Sequence, residues 1–160
     1  MHNATEKLIQ HWLSQGLAIT KGNTQEQIEE FEQRYNVIVP PDMRDYFLRV
    51  DGMDMNSLTS YQDKAGFSFW PRKRIKTAAE EAHDHTTGYW SFRDQNSLFL
   101  FADYLDWSWA YAIRLLRSPS AETPVFIIGK RESPIEIAKS FSEFVNLYVV
   151  DSPILYNAAT

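Results

Sequence analysis

The chain has 160 residues, of which 44% are hydrophobic and 14% aromatic, a formal net charge of −5 and no cysteine. This length is typical of one domain, and we expect residues 1–160 to form a single domain with a self-supporting core. The absence of cysteine excludes a disulfide framework, a thiolate zinc site and a cysteine nucleophile. The acidic balance disfavours nucleic acid as a ligand, since duplex binding neutralises phosphates with cations, and weakly favours a basic partner.

The N-terminal segment has no basic stretch followed by an unbroken apolar run, and we therefore expect no export signal. No segment approaches the roughly 18 consecutive apolar residues that span a bilayer. We expect a soluble, cytoplasmic protein that does not contact a membrane.

Three helices are predicted before residue 52. Apolar residues at helical spacing indicate a lead-in helix from Thr5 to Gln15. Thr24 and Gln27 have the spacing of a capping box, which predicts the start of a second helix. Proline is well tolerated in a first helical turn, so a third helix is predicted to start after the Pro40-Pro41 pair and to end at Gly52. The second and third helices are predicted to bury these residues: Ile28, Phe31, Tyr35, Tyr46, Phe47 and Val50.

After residue 57 the pattern changes to short aromatic and β-branched runs, which are typical of strands. Four strands are predicted, at 67–70, 98–101, 109–116 and 124–129, with a hairpin loop from Tyr104 to Ser108. The polar segment from Arg72 to His83 is predicted to be a short exposed helix, and Gly88 lets the chain turn back. Successive strands without long intervening helices favour antiparallel pairing.

A closing helix is predicted from Ser133, Pro134 and Glu136, which would supply an N-cap, a first-turn proline and a capping-box acid. The fold class that follows is α+β: N-terminal helices, a central antiparallel sheet of about four to six strands, and a C-terminal helix packed on the sheet. The predicted inner face of that helix is Ile137, Phe141, Phe144, Val145 and Tyr148.

The segment IEEFEQRYNVIVPPDMRDYFLRVDG, Ile28 to Gly52, resembles the signature of the SUKH superfamily, which includes the fungal Smi/Knr cell-wall regulators. Its marks are an acidic helix, a proline before a second aromatic-bearing helix, and a terminal glycine. Later blocks, including LFLFADYLDWSWAYAIRLL and IAKSFSEFVNLYV, are also similar to that family. The resemblance covers about residues 24–150 and rests on the order and spacing of the blocks. The helix within residues 1–20 is an addition to the shared pattern.

The resemblance implies a non-enzymatic domain that binds proteins. Bacterial members of the superfamily commonly act as immunity proteins against secreted or contact-delivered toxins. We therefore expect stoichiometric occlusion of a cognate toxin, a basic protein such as a nuclease. The alternative is a general protein-interaction or regulatory domain with a non-toxin partner, as in the fungal branch.

The sequence motifs do not indicate a catalytic activity. The chain has no glycine-x-serine-x-glycine elbow, no P-loop and no dinucleotide fingerprint. The one local cluster of metal-ligand types is His83-Asp84-His85, near Glu80 and Glu81, and it lacks the zincin spacing of two histidines four apart. A metal-dependent hydrolase using His83 and His85 is a third hypothesis; the solvated end of a helix is the simpler interpretation. We expect no catalytic residue, metal or cofactor.

The favoured recognition surface is the hairpin loop within Asp103 to Trp109. Aromatic residues dominate binding hot spots because a ring supplies a large contact area at little entropic cost. Flanking carboxylates can pair with the lysines or arginines of a partner. Rings at strand ends usually pack in the core, so Trp107, in the turn itself, is the best candidate for exposure. The predicted binding residues here are Asp103, Asp106 and Trp107.

Two charged stretches are further candidates. Glu29, Glu30 and Glu32, with the helix start at 42–45, form a second acidic surface. Most such runs are ordinary solvated helix faces, but this one would also speed encounter with a basic nuclease, an effect that weakens with salt. The basic run 72–76 could contact a phosphate backbone or an acidic partner, although a solvated loop is the usual structure of such a run.

Overall fold

A computed structural model of the chain describes residues 3–84, 92–129 and 133–159. The helices in this part are α1 (Ala4–Ser14), α2 (Gln25–Tyr35), α3 (Pro41–Arg49), α4 (Ala78–Asp84) and α5 (Phe141–Val149). The strands are β1 (Phe67–Phe69), β2 (Lys76–Thr77), β3 (Leu98–Tyr104), β4 (Trp109–Arg114), β5 (Val125–Ile128) and β6 (Ile135–Ala138). Two 3₁₀ helices cover Arg72–Arg74 and Pro153–Ala159.

The caps read from the sequence are present at α2 and α3. The Thr24 side chain accepts from the Gln27 backbone N–H at 3.1 Å, and the Gln27 side chain accepts from the Thr24 N–H at 2.8 Å. Asn36, in the left-handed region at φ 55°, ends α2. Pro41 is the first residue of α3. No helix within the described ranges is long and apolar enough to cross a bilayer.

The strands form one antiparallel sheet in the order β1-β3-β4-β5-β6, and β2 also pairs with β3. The long central hairpin β3–β4 runs from the pair Leu98 and Arg114 at its open end to the pair Tyr104 and Trp109 at its turn, with a register shift between Leu100 and Ala102. The predicted α+β class, with helices before an antiparallel sheet and a helix after it, is confirmed.

Helix α5 packs on the sheet through aromatic contacts. The Phe144 ring lies 5.1 Å from Phe101 of β3 and 5.2 Å from Tyr111 of β4. Phe101 also contacts Phe141 at 5.7 Å. All four rings are buried. Such offset and edge-on pairs add to the free energy gained by removing the rings from water, so this contact is a main source of stability.

Helix α1 is part of the core. It packs against α5 and α3, and Leu8 and Trp12 are buried. The Trp12 indole N–H donates to the Tyr148 hydroxyl at 3.0 Å, and that hydroxyl donates to Asp63 at 2.5 Å. Burial and the neighbouring Asp63 carboxylate raise the pKa of Tyr148, so the hydroxyl keeps its proton and remains a donor. The lead-in helix is therefore joined to the C-terminal helix by buried hydrogen bonds.

The predicted start of the closing helix is wrong. Residues Ile135–Ala138 form strand β6, which pairs with β5, and the helix begins at Phe141. Its N-cap is Ser140, whose side chain accepts from the Glu143 N–H at 3.1 Å. The serine-to-glutamate spacing occurs twice in the sequence, at 133–136 and at 140–143, and only the second starts a helix. Pairing with β5 supplies the backbone hydrogen bonds that the earlier segment would have had in a helix.

The segment from Arg72 to His83 is only partly helical. It contains the 3₁₀ turn Arg72–Arg74 and strand β2 before α4 begins at Ala78. Pairing of Lys76 with Leu100 and of Thr77 with Phe99 draws the middle of the segment onto the sheet. The turn predicted at Gly88 lies outside the described residues.

Candidate functional site

The loop that joins β3 to β4 has an unusual backbone. Leu105, Asp106 and Trp107 lie consecutively in the left-handed region, with φ of 46°, 49° and 73°. That region costs a residue other than glycine about 1–2 kcal/mol. Three such residues in a row persist only where the surrounding structure holds them. We call residues 103–109 the hairpin tip.

Asp103 holds the tip from inside. Its carboxylate is only 4% exposed. One oxygen accepts from the Trp70 indole N–H at 2.6 Å, and the other accepts from the Trp107 backbone N–H at 3.3 Å. Burial raises the pKa of Asp103, and the hydrogen bonds from Trp70 and Trp107 partly offset that rise. Both carboxylate oxygens are thus occupied by the protein itself.

Trp70 connects the tip to the 3₁₀ turn after β1. The Arg74 guanidinium lies 4.1 Å from the Trp70 ring centroid, a cation–π contact, and 4.0 Å from the Asp103 carboxylate. The Trp107 ring packs against Trp70 at 5.7 Å between centroids. The two tryptophans and the arginine therefore surround the buried carboxylate and fix the direction of the loop.

Leu105 is held by the residue before β1. Its N–H donates to the Gly66 carbonyl at 2.9 Å. Gly66 has φ 107°, and a Cβ at that position would lie 2.6 Å from a Leu105 methyl group. The backbone conformation favours glycine there, while the flexible Leu105 side chain could move aside from a Cβ. The side chain of Leu105 nevertheless remains 49% exposed.

The tip therefore presents to solvent a different set of residues from the predicted one. Asp106 and Ser108 are exposed, as is Leu105. Trp107 is half-buried against Trp70, and Asp103 is buried. Asp106 is the predicted carboxylate that points a free charge outward, while Asp103 and Trp107 support the loop that carries it. What the tip offers is an exposed leucine beside an exposed aspartate on a fixed backbone.

The acidic residues of α2 likewise differ in whether they are exposed or bonded within the protein. Glu29 and Glu30 are exposed. Glu32 instead accepts from the Val39 N–H at 2.8 Å and pairs with Arg44 at 2.6 Å, which ties α2 to α3. In the predicted acidic helix start, Asp42 accepts from the backbone N–H and the hydroxyl of Ser142, both at 2.8 Å, and so caps α5.

The structure does not bring the tip and the α2 carboxylates together. Helix α2 packs at the open end of the central hairpin, where Phe31 lies 5.6 Å from Phe99 in ring centroids. Phe99 is the second residue of β3, and the tip follows its last residue, Tyr104. A strand rises about 3.3 Å per residue, so roughly 15 Å separates the two ends. The two predicted surfaces are separate surfaces.

The basic run 72–76 is largely occupied inside the molecule. Arg72 donates from Nε to the Asn23 side-chain oxygen at 2.9 Å. Arg74 stacks on Trp70, and Lys76 pairs with Glu81 at 2.6 Å. Lys73 is exposed. The prediction of a solvated run is therefore confirmed for Lys73 and Arg74, which are exposed, and wrong for Arg72 and Lys76, which are partly buried.

In the part of the chain that the structure describes, no three histidine or acidic side chains group as metal ligands. His83 is exposed at the end of α4. His85 lies outside the described residues, so the histidine-pair hypothesis stays a hypothesis.

Sequence reasoning missed Trp70, Arg74 and Leu105 at the tip. Trp70 and Arg74 lie some 30 residues earlier in the chain, and nothing local to the loop indicates them. Leu105 carried a signal: a leucine in a tight hairpin loop without glycine is out of place in a solvated turn. An apolar residue at such a position suggests either a core contact or a binding contact.

Fold and surface together define an α+β domain with helices packed on an antiparallel sheet and a preformed hairpin tip. The model of the SMI1/KNR4 family (SUKH-1) matches residues 22–147, and the chain belongs to this family. The match agrees with the predicted extent of about 24–150 and leaves α1 outside the shared region. A search of curated proteins gave no match.

Proposed function

We propose that this domain is an immunity protein, which binds a cognate protein toxin stoichiometrically and occludes its active site or substrate groove without turnover. Family membership supports a domain of the immunity type. The proposed setting is the cytoplasm, and the proposed partner is a basic toxin such as a nuclease. A metal, a cofactor or bound nucleic acid has no role in this mechanism.

The observation that carries the proposal is the rigid display of Leu105 and Asp106. Binding is weakened when a loop must become ordered in the complex, at about 0.5–1.5 kcal/mol for each side chain that is immobilised. The buried Asp103 carboxylate and the Trp70 ring order this loop in the free protein. The tip can therefore enter a concave site on a partner without an additional entropic cost.

The exposed groups of the tip fit a basic partner. Asp106 can pair with a lysine or arginine, while Leu105 fills an apolar pocket beside it. The net charge of −5 attracts a cationic toxin during diffusion and speeds encounter, an effect that salt screens. Glu29 and Glu30 at the other end of the hairpin contribute to this attraction as a second, separate surface.

A co-expression assay tests the proposal. The protein encoded by the neighbouring gene would be expressed with and without this chain, and survival would be scored together with capture of the purified complex. We expect rescue by the wild-type chain and its loss in Asp106→Lys, which reverses the charge of the tip. Glu122→Lys makes the same charge change in an exposed loop and should still rescue.

The two functional alternatives give different results in this assay. No rescue and no complex with the wild-type chain would overturn the immunity role. A stable complex with a neighbouring protein that is not toxic would favour the regulatory alternative. Equal rescue by Asp106→Lys and Glu122→Lys would show that the tip does not bind the toxin and would leave the immunity role in place.

A further inference from the structure

A cleft of about 260 Å³ lies at the open end of the β3–β4 hairpin. Three segments line it: residues 35–37 at the end of α2, 93–97 before β3, and 115–117 after β4. Backbone hydrogen bonds bring them together. The Leu115 N–H donates to the Ser97 carbonyl at 3.0 Å, and the Ile38 N–H donates to the Leu116 carbonyl at 2.9 Å. We call this feature the root cleft.

The root cleft contains hydrogen-bond donors that have no partner within the protein. Arg93 and Arg117 are exposed, and neither forms an ion pair or a hydrogen bond with any described residue. The side-chain amides of Asn36 and Asn96, which also line the cleft, are equally without partners in the described ranges. Two guanidinium groups and two amides are thus available to one ligand.

The local charge is positive on an otherwise acidic chain. The carboxylate in the cleft is that of Asp94, and Arg114 pairs with it at 2.8 Å. Arg93 and Arg117 therefore have no carboxylate partner among the described residues. Guanidinium groups present a planar set of donors that matches a carboxylate or a phosphate. The two guanidinium groups therefore favour an anionic ligand in the cleft.

The rest of the cleft wall narrows the choice of anion. Besides Ser97 it consists of aromatic and apolar side chains, of which Leu116 is 41% exposed: Tyr35, Val37, Leu115 and Leu116. An inorganic ion would leave this wall in contact with water, and a long polyanion would extend beyond the two arginines onto an otherwise acidic chain. A carboxylate carried by a partly apolar peptide satisfies both the arginines and the wall.

We propose that the root cleft binds a carboxylate from an acidic, partly apolar segment of a protein partner. The carboxylate is that of a glutamate or aspartate side chain, within a segment whose apolar neighbours contact the wall. A free C-terminus has the same recognition chemistry and is distinguished by the experiment below. The inference goes beyond the immunity role. It concerns the opposite end of the hairpin from the tip, and it holds whether or not the tip binds a toxin.

Nuclear magnetic resonance of the full-length ¹⁵N-labelled chain tests the proposal. The probes are an acetylated, amidated Leu-Glu-Glu-Leu-Phe peptide, its Leu-Gln-Gln-Leu-Phe counterpart, and the glutamine peptide with a free C-terminus. Inorganic phosphate and a short oligothymidylate complete the set. We expect the glutamate peptide to shift the Nε–H signals of Arg93 and Arg117 and the side-chain amides of Asn36 and Asn96, saturably and less strongly at high salt.

The probes separate the sources of the anion. Binding of the glutamine peptide only when its C-terminus is free would assign the cleft to chain ends. Tighter binding of the oligothymidylate or of phosphate than of every peptide would overturn the proposal, and so would equal shifts with the fully neutral peptide. The absence of cleft shifts at millimolar concentrations of all three peptides would also reject it.

Variants locate the effect. Arg93→Gln with Arg117→Gln should weaken binding of the glutamate peptide at least about tenfold, because two charge-assisted hydrogen-bond donors are lost. Lys64→Gln removes an exposed charge from the loop before β1 and should leave binding within about twofold of wild type. Arg93→Lys with Arg117→Lys keeps the charge without the planar fork and should give an intermediate loss. Unchanged binding in the glutamine double variant would contradict the assignment.

Discussion

At the hairpin tip the buried Asp103 carboxylate bonds inward, whereas at the root cleft two arginines and two asparagines have no side-chain partners among the described residues. Asp103 accepts two hydrogen bonds from the residues that surround it, and Arg74 stacks on Trp70. Arg93 and Arg117 make no comparable contact. The two regions are joined by the same pair of strands, so the difference arises from their side chains and not from the stiffness of the sheet.

This comparison shows two ways of preparing a surface for binding. The tip uses buried hydrogen bonds to hold a strained backbone and leaves Leu105, Asp106 and Ser108 exposed. The cleft keeps its charged donors free and relies on the backbone pairing of three segments for its shape. Substitutions should therefore affect stability at the tip and affect only ligand binding at the cleft.

The largest effect on stability is expected from Asp103→Ala. The change leaves the buried Trp70 indole N–H without an acceptor and frees the Trp107 N–H. An unsatisfied buried donor costs about 1–3 kcal/mol, and we expect the free energy of unfolding to fall by that amount in urea denaturation. Glu122→Ala, which removes an exposed carboxylate, should change it by less than about 0.5 kcal/mol. A similar loss in both variants would show that the Asp103 contacts do not hold the tip.

The stability contribution of Asp103 should also depend on pH. Burial raises its folded-state pKa above the unfolded value of about 4, so the folded protein binds a proton more readily than the unfolded chain does. The contribution is favourable below that unfolded value and is lost as the pH rises through the folded pKa. Wild-type stability relative to Asp103→Asn should therefore fall as the pH rises from below about 4 towards neutrality. A difference that is constant with pH, measured by urea denaturation, would contradict the raised pKa.

A smaller effect of opposite sign is expected from Asp106→Gly. The exposed Asp106 carboxylate has no hydrogen bond to a described residue, so the substitution mainly relieves the cost of a left-handed conformation at φ 49°. We expect a gain of about 0.5–1 kcal/mol in the free energy of unfolding, together with weaker binding of the toxin partner. Destabilisation in a thermal melt would indicate that the Asp106 side chain supports the loop.

The smallest effect on stability is expected at the root cleft. Arg93→Gln with Arg117→Gln should change the free energy of unfolding by no more than about 0.5 kcal/mol, because neither guanidinium has an internal partner to lose. Removing these charges should still weaken binding of the glutamate peptide at least about tenfold. A loss of stability comparable to that of Asp103→Ala would show that the two arginines, like Asp103, make contacts that stabilise the fold.

Much of the fold could be predicted because its signals are local. The Thr24 and Gln27 capping box, the Pro41 helix start and the aromatic strand runs each depend on residues within one turn or one strand. The error at residues 133–138 has the opposite origin. The residues there have capping-box spacing, but the backbone pairing of this segment with β5, and not its local helical propensity, decides the conformation.

The binding surface was predicted less completely than the fold. The hairpin loop predicted at 104–108 agrees with the turn at 105–108 between β3 and β4, yet burial separates Asp103 from Asp106 although they are three residues apart. Glu32 and Glu30 differ in the same manner, since Arg44 and the Val39 N–H engage only Glu32. Composition and charge are the same for both members of each pair.

By itself, the sequence determined the first three helices, the strands β1, β3, β4 and β5, the α+β class and membership of the family, because capping, periodicity and block order involve neighbouring residues. The tertiary structure alone decided which charges are free. Trp70 and Arg74 contact the tip from the segment that follows β1. The antiparallel pairing of Leu98 with Arg114 places Arg93 and Arg117 around one cleft. Whether a charged side chain meets a partner inside the protein depends on contacts between distant segments, and only folding creates those contacts.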